Sequence, residues 1–133
     1  MEEKELTGKI IGCAMKVHST LGPGFLESVY QKAMAHELQK AGLRVECETP
    51  ITVHYDGVVV GEFSVDMLVE QNIIIELKAN HALAPANEVQ LVNYLTATGI
   101  EIGLLLNFGA ERLEYKRKIR TYRPKPLPRD FTL

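Results

Sequence analysis

The chain has 133 residues, of which 46% are hydrophobic and 24% charged, and its net charge is −2 at pH 7. This composition is typical of a folded globular protein and excludes general disorder. No stretch approaches the roughly eighteen apolar residues of a membrane span, and the first residues lack a secretion signal, which together predict a cytoplasmic protein without membrane contact. Cys13 and Cys47 lack the spacing of a zinc site or a C-x-x-C pair, so both are expected to be buried free thiols.

Charge is distributed unevenly along the chain. Residues 1–111 carry 7 basic and 15 acidic side chains, whereas residues 112–133 carry 8 basic and 2 acidic ones. The basic end could contact the phosphates of a nucleic acid, since binding to that backbone is largely electrostatic. A solvated last strand and a terminal arm that balance an acidic body would give the same pattern, so composition leaves both interpretations open.

Two helices are predicted at the start of the chain. Apolar residues recur at steps of three and four over residues 5–20, which indicates an amphipathic helix. A second helix is expected over residues 25–41, because Gly42 follows it as the residue type that most readily ends a helix. Glu27 falls in the first turn of this second helix, where free backbone N–H groups and the helix dipole favour a carboxylate.

Three strands are predicted next. Residues 43–55 alternate apolar and polar side chains, which is typical of a strand with one face in water. Asp56-Gly57 is a turn signal, and residues 58–69 return as a second strand. Residues 73–79 are apolar on both faces, as expected of a central strand that helices cover on both sides.

The remaining pattern completes an α/β fold. A helix is predicted over Pro85 to Thr98, a buried strand over residues 102–107 and a more polar strand over 113–122. The two strands that flank this helix should form a right-handed parallel crossover. The predicted order is ααβββαββ, a mixed β-sheet flanked by helices in a single domain over residues 1–122. Residues 123–133 are expected to form an extended, Pro-rich basic tail.

Three charged side chains interrupt the apolar strands. Glu76 and Lys78 are two residues apart and share one face of their strand, and Asp66 interrupts the strand before it. With a three-residue loop at 70–72, Asp66 would lie directly across from Glu76. Two carboxylates and an ammonium at the edge of a hydrophobic sheet are costly unless they hold a cation or a polar ligand, which indicates a functional site. The alternatives are exposed carboxylates at strand ends and, for Lys78, a simple ion pair with one of them.

Four segments of the chain carry a family resemblance. They are Leu21-Gly22-Pro23-Gly24-Phe25-Leu26-Glu27-Ser28-Val29-Tyr30, Val65-Asp66, Ile75-Glu76-Leu77-Lys78 and Gln90-Leu91-Val92-Asn93-Tyr94. Together they resemble the PD-(D/E)XK nuclease superfamily, and most closely its GxxExxR family, over residues 6–121. The resemblance implies a restriction-endonuclease-like fold. Val65 replaces the proline of the superfamily pattern, and Tyr30 stands where the GxxExxR pattern has arginine.

The resemblance implies a metal site. Asp66 and Glu76, with Glu27 directly or through a water molecule, would bind Mg²⁺, or Mn²⁺ in its place, since hard oxygen donors suit a hard divalent ion. Lys78 would orient and help to deprotonate the attacking water or stabilise the charged transition state. The alternative for Glu27 is a carboxylate that merely interacts with the helix dipole.

The resemblance also implies a substrate. Gln90 and Tyr94 lie one helical turn apart and would position a phosphate or a base, although Tyr94 could equally be a core aromatic residue. The implied function is Mg²⁺-dependent hydrolysis of phosphodiester bonds in DNA or RNA. The alternatives are a non-catalytic module that binds nucleic acid or protein, and hydrolysis of a small phosphate ester. Because a single domain lacks a separate DNA-reading element, a homodimer or a protein partner is expected beside the nucleic acid.

Overall fold

A computed structural model describes residues 1–120 of the chain. Its three helices and five strands follow the predicted order ααβββαββ. The helices are α1 (Glu3–Leu21), α2 (Glu27–Lys40) and α3 (Pro85–Thr98), and the strands are β1 (Val45–Tyr55), β2 (Val58–Val69), β3 (Ile73–Lys78), β4 (Ile102–Asn107) and β5 (Glu114–Ile119). The predicted tail at 123–133 lies outside the described residues, as do the last two residues of the predicted domain.

The five strands form one mixed sheet in the order β1-β2-β3-β4-β5. β3 and β4 are parallel and are connected through α3, whereas the other neighbouring strands are antiparallel. The β2–β3 register pairs Met67 with Ile75 and Val69 with Ile73, which leaves 70–72 as the predicted three-residue loop. This hairpin brings the Asp66 end of β2 next to the Glu76 end of β3.

Helices cover both faces of the sheet. On one face, Ile73, Ile75 and Leu77 of β3 join the core formed with α1 and α2. On the other face, Ile74 packs into a second core with Leu91 of α3. β3 is therefore buried on both faces, as its continuous apolar sequence predicts.

Burial confirms the amphipathic pattern of the first two helices. The buried apolar residues are Leu6, Ile10, Ala14 and Val17 of α1 and Tyr30, Met34 and Leu38 of α2. Each large apolar side chain that is fully buried in this way stabilises the fold by about 1.5–3 kcal/mol. None of the helices in residues 1–120 is long and apolar enough to span a bilayer.

The edge position of β1 determines the environment of Cys47. β1 has a neighbour on one side only, and it contains Pro50, a residue that sheets accommodate at their edges. Cys47 is exposed and Cys13 is half-buried, and both are free thiols. The prediction of a buried thiol is therefore wrong for Cys47, which lies exposed on this edge strand.

Candidate active site

Asp66 and Glu76 meet where β2 and β3 separate. The regular pairing of the two strands ends at Met67 and Ile75. At the next residue of each strand, Asp66 and Glu76, the side-chain carboxylates accept hydrogen bonds from backbone N–H groups of the neighbouring strand. The N–H of Asp66 donates to Glu76 Oε1 at 3.0 Å. The N–H of Leu77 donates to Asp66 Oδ2 at 2.7 Å. The two acids thus face each other across the ends of neighbouring strands, and each carboxylate is held by a hydrogen bond from the backbone of the other strand.

Burial and mutual repulsion govern the ionisation of this pair. Glu76 is only 5% exposed, and burial together with the Asp66 carboxylate raises the pKa of Glu76 to about 8. Burial also raises the pKa of Asp66, although the hydrogen bond from Leu77 opposes this shift. Glu48 adds to the rise in the pKa of Asp66, and Lys78 opposes it. Burial and the closeness of the two carboxyl groups thus both disfavour the state in which Asp66 and Glu76 are ionised together.

The regular alternation of side chains breaks beside this pair. Val65 and Leu68 of β2 both pack in the core under α3, although residues three apart point to opposite faces of a regular strand. On β1, Glu48 has a φ of 52°, in the left-handed region that non-glycine residues rarely adopt. The β1–β2 ladder omits the Glu48–Asp66 pair. Asp56, Glu70 and Gln71 also have a positive φ but lie in turns, so within residues 1–120 Glu48 is the non-glycine residue that adopts this conformation inside a strand.

Glu48 belongs to this site, although it is not among the residues that the sequence predicts for it. Its carboxylate accepts hydrogen bonds from Gln31 Nε2 at 2.9 Å and from Ser64 Oγ at 3.0 Å. Gln31 also donates to the backbone oxygen of Asp66 at 2.9 Å, so α2 is tied to both strands. In the sequence, Glu48 fits the polar face of an alternating strand. No local signal distinguishes it, because its role depends on contacts with α2 and β2.

Glu27 lies at the rim of the same region. It is exposed in the first turn of α2 and lines a cavity of about 110 Å³ together with Gln31, Glu48 and Asp66. Within residues 1–120, no three His, Cys, Asp or Glu side chains converge closely enough to form a complete metal cage. Mg²⁺ typically keeps several waters and binds proteins through one or two carboxylates. The oxygen donors of Asp66 and the buried Glu76 fit such an ion.

Lys78 is the third charged residue of the site and lies at the end of β3. It is half-buried and lies two residues beyond Glu76, so the two side chains leave the same face of the strand. The charge of Lys78 lowers the pKa of both acids, but in each case this decrease is smaller than the increase caused by burial. Lys78 forms no ion pair with any residue of the described chain, so the simple ion pair considered as an alternative is not present.

A buried amide fixes the chain directly after Lys78. Asn107, at the end of β4, accepts a hydrogen bond from Asn80 N at 3.0 Å and donates to Asn80 O at 2.9 Å. The N–H of Phe108 donates to Lys78 O at 2.8 Å. In the sequence, Asn107 is predicted only as the last residue of a buried strand. Its position at the end of an apolar run is the signal that could have identified it.

Gln90 and Tyr94 lie on the α3 side of the sheet, away from the cavity that Glu27 lines. Both line a separate groove between α3 and the β1–β2 hairpin. Tyr94 is 8% exposed, and burial, followed by the Glu76 and Asp66 carboxylates, raises its pKa. Tyr94 is therefore both a core residue and a neighbour of the acid pair, whereas Gln90 is an exposed residue one turn earlier.

Tyr30 stands where the GxxExxR pattern has arginine, and its side chain binds the loop before α2. Its hydroxyl donates to Gly22 O at 2.6 Å and accepts from Phe25 N at 3.2 Å. Its ring stacks on Phe108, with 4.7 Å between the ring centroids. Tyr30 thereby holds the loop that leads into α2 and Glu27.

Comparisons with known proteins agree with this architecture. Residues 4–119 match the PD-(D/E)XK nuclease superfamily, and no curated protein matches the chain significantly. A similar solved structure, described as "Crystal structure of SSO0001", is 17% identical with a TM-score of 0.58, over 72% of this chain and 50% of that one. The chain thus spans about half the length of that protein, and at this identity the likeness concerns the fold alone. The mixed sheet and its flanking helices are those of a restriction-endonuclease-like fold, and the chain belongs to the PD-(D/E)XK nuclease superfamily.

Proposed function

We propose that this protein is a metal-dependent nuclease that hydrolyses phosphodiester bonds in DNA or RNA. The observation that carries the proposal is the buried Glu76 carboxyl facing Asp66, with Lys78 at the end of the same strand. Burying two acids together is unfavourable for folding, and a cation-binding role explains why they are there. The proposal includes a cytoplasmic location and the GxxExxR branch of the superfamily, whose motif the segment from Gly24 to Tyr30 resembles.

Asp66 and Glu76 are the proposed ligands of Mg²⁺, or of Mn²⁺ in its place, with Glu27 contributing directly or through a water. When bound, such an ion polarises a phosphate oxygen and lowers the pKa of a water molecule. Glu76 must first release its proton to solvent, because a carboxylate binds a cation only when ionised. The affinity for the metal is therefore expected to rise as the pH approaches and passes about 8.

Lys78 is proposed to act on the phosphate. Its ammonium donates a hydrogen bond to a non-bridging phosphate oxygen, where negative charge grows as the water oxygen bonds to phosphorus. The attacking water gives one of its protons to solvent, the P–O bond to the departing strand breaks, and the released oxygen takes up a proton from solvent. The hydrogen bonds of Asn107 and Phe108 to the chain around Lys78 hold its backbone in position during this step.

The test is hydrolysis of labelled single-stranded, duplex and branched DNA, and of RNA, with Mg²⁺ or Mn²⁺. We expect cleavage only when metal is added. Glu76→Gln and Lys78→Met should each lower the rate by about 10²-fold or more. Glu62→Gln, which changes an exposed carboxylate of β2, should not. Calorimetry should show weaker Mn²⁺ binding to Glu76→Gln and undiminished binding to Lys78→Met.

Other outcomes would identify other functions. Cleavage without metal, or full activity of Glu76→Gln, would contradict the proposed mechanism. Binding of nucleic acid without hydrolysis, unchanged in Lys78→Met, would indicate a non-catalytic module that retains the fold. Hydrolysis of free nucleotides but of no polynucleotide would indicate an enzyme for small phosphate esters.

A further inference from the structure

A larger cavity lies on the α3 side of the acid pair. It measures about 550 Å³ and is lined by Val53 and Phe63 of the β1–β2 hairpin and by Val89, Gln90, Asn93 and Tyr94 of α3, among others. We refer to this cavity as the hairpin groove. Its volume falls in the range of pockets that bind small molecules, about 300–1,000 Å³.

The lining of the hairpin groove suits a flat, neutral ring with polar edges. No charged side chain of residues 1–120 lines it, and Phe63, which is 46% exposed, offers its aromatic ring to a ligand. The Phe63 and Tyr94 rings lie with their centroids 5.7 Å apart. The side-chain amides of Gln90 and Asn93 form no hydrogen bond with residues 1–120, so their donors and acceptors are free to pair with the edge of such a ring.

Tyr94 connects the hairpin groove to the acid pair. Its ring lines the groove and also packs in the same buried cluster as Val65 and Ile74. Val65 directly precedes Asp66, and Ile74 lies on the same face of β3 as Glu76. The groove therefore lies on the same side of the sheet as the proposed reaction centre. A nucleotide has the matching two parts, a neutral aromatic base and a charged phosphate.

On the basis of the nuclease function proposed above, we propose that the hairpin groove binds one unpaired nucleobase of the substrate strand, next to the scissile phosphate. Within a duplex, the faces of a base are stacked and its edge is paired, so it is not available to the groove. The protein should therefore prefer single strands. Stacking on Phe63 would tolerate every sequence, because each base has an aromatic face.

The test measures binding in EDTA, where metal-dependent hydrolysis cannot occur. The probe is a fluorescent single-stranded thymidine oligonucleotide, compared with a strand of equal length that carries abasic sites. We expect at least roughly tenfold weaker binding of the abasic strand, because stacking of one base on an aromatic side chain strengthens binding by that order. Phe63→Ala should weaken binding of the base-containing strand similarly. Tyr55→Ala, which removes a 75% exposed aromatic residue of the same hairpin outside the groove, should not.

Equal affinity for the two strands would overturn the proposal. That comparison uses the unaltered protein, so it remains decisive even if Phe63→Ala fails to fold. Cleavage with Mn²⁺ is measured separately on the same strands. Base-dependent binding without any cleavage would contradict the nuclease chemistry and leave the groove assignment intact. Cleavage at the same rate of the abasic and the base-containing strand would contradict the groove assignment and leave the nuclease chemistry intact.

Discussion

At the scale of single residues, Glu76 makes folding stability depend on pH. Its ordinary pKa of 4.5 rises to about 8 in the folded protein, so the folded state binds more protons than the unfolded state between these values. The stability that this group contributes is full below pH 4.5 and is lost as the pH rises through about 8. The pKa of Asp66 is raised as well, and its contribution has the same sign. The free energy of unfolding should therefore fall from acidic to slightly alkaline pH.

Glu76→Gln tests this pH dependence. The amide stays neutral, so we expect the variant to be more stable than the parent at pH 8 and to lose a slope of up to about 1.4 kcal/mol per pH unit. Urea unfolding between pH 5 and pH 8.5, in buffers without divalent metal, measures the free energy of unfolding of both proteins and hence this slope. Glu62→Gln, at an exposed position of β2, is the control and should keep the parent slope. Parallel curves for the parent and Glu76→Gln would show that Glu76 is ionised in the folded protein.

The sequence predicts some site residues and not others for a physical reason. Asp66, Glu76 and Lys78 could be recognised because a charge inside an apolar strand is a local signal, and the period of two places Glu76 and Lys78 on one face. Glu48 and Asn107 could not be recognised in this way. Their hydrogen bonds reach Gln31, 17 residues away in sequence, and Asn80, 27 residues away, and such partners emerge only when the chain folds.

At the scale of elements, the ends of β3 and β4 depend on a close backbone approach at Gly109. A Cβ atom at Gly109 would lie 2.3 Å from the carbonyl carbon of Ala79 and 2.4 Å from the nitrogen of Asn80. These atoms belong to the backbone, so they cannot move aside as a flexible side chain would. We expect Gly109→Ala to destabilise the protein by about 1–3 kcal/mol. The segment that would shift directly follows Lys78, so the proposed hydrolysis should slow as well.

Gly8→Ala is the matched control for this prediction. Gly8 is exposed within α1, and a Cβ atom there has no neighbour within 4 Å. The same substitution should therefore stabilise the helix by about 0.5–1 kcal/mol. Urea unfolding of both variants gives the comparison. Equal stability of Gly109→Ala and the parent would contradict the prediction, because it would mean that the ends of β3 and β4 can move apart without lowering the free energy of unfolding.

The elements themselves could largely be predicted, because their signals are periodic and local. The bounds of β2, α3 and β4 agree with the predicted ones, and both helices before them differ by one or two residues at each end. The break of alternation between Val65 and Leu68 is different. It lies beside Asp66, whose carboxylate accepts a hydrogen bond from β3, and no pattern within β2 itself indicates it.

At the scale of the whole molecule, the basic end of the chain begins on β5, two strands from the proposed active site. The register aligns Lys78 of β3 with Asn107 of β4, and Asn107 with Glu114 at the start of β5. Lys116 and Arg117 follow on β5, are exposed and form no ion pair within residues 1–120. These two cations are therefore available to phosphates of a strand that crosses the sheet edge.

Replacing Lys116 and Arg117 by Gln tests whether these charges bind phosphate or only balance the acidic body. Each phosphate contact releases condensed counterions, so losing two contacts should reduce the slope of log affinity against log salt by about 1.4 for a single strand. Abasic and base-containing strands should lose affinity equally, because phosphate contacts do not involve the base. Lys4→Gln with Lys9→Gln on α1 makes the same change in net charge. If both double variants give the parent slope, β5 does not contact phosphate, and its charges serve only to balance the acidic body.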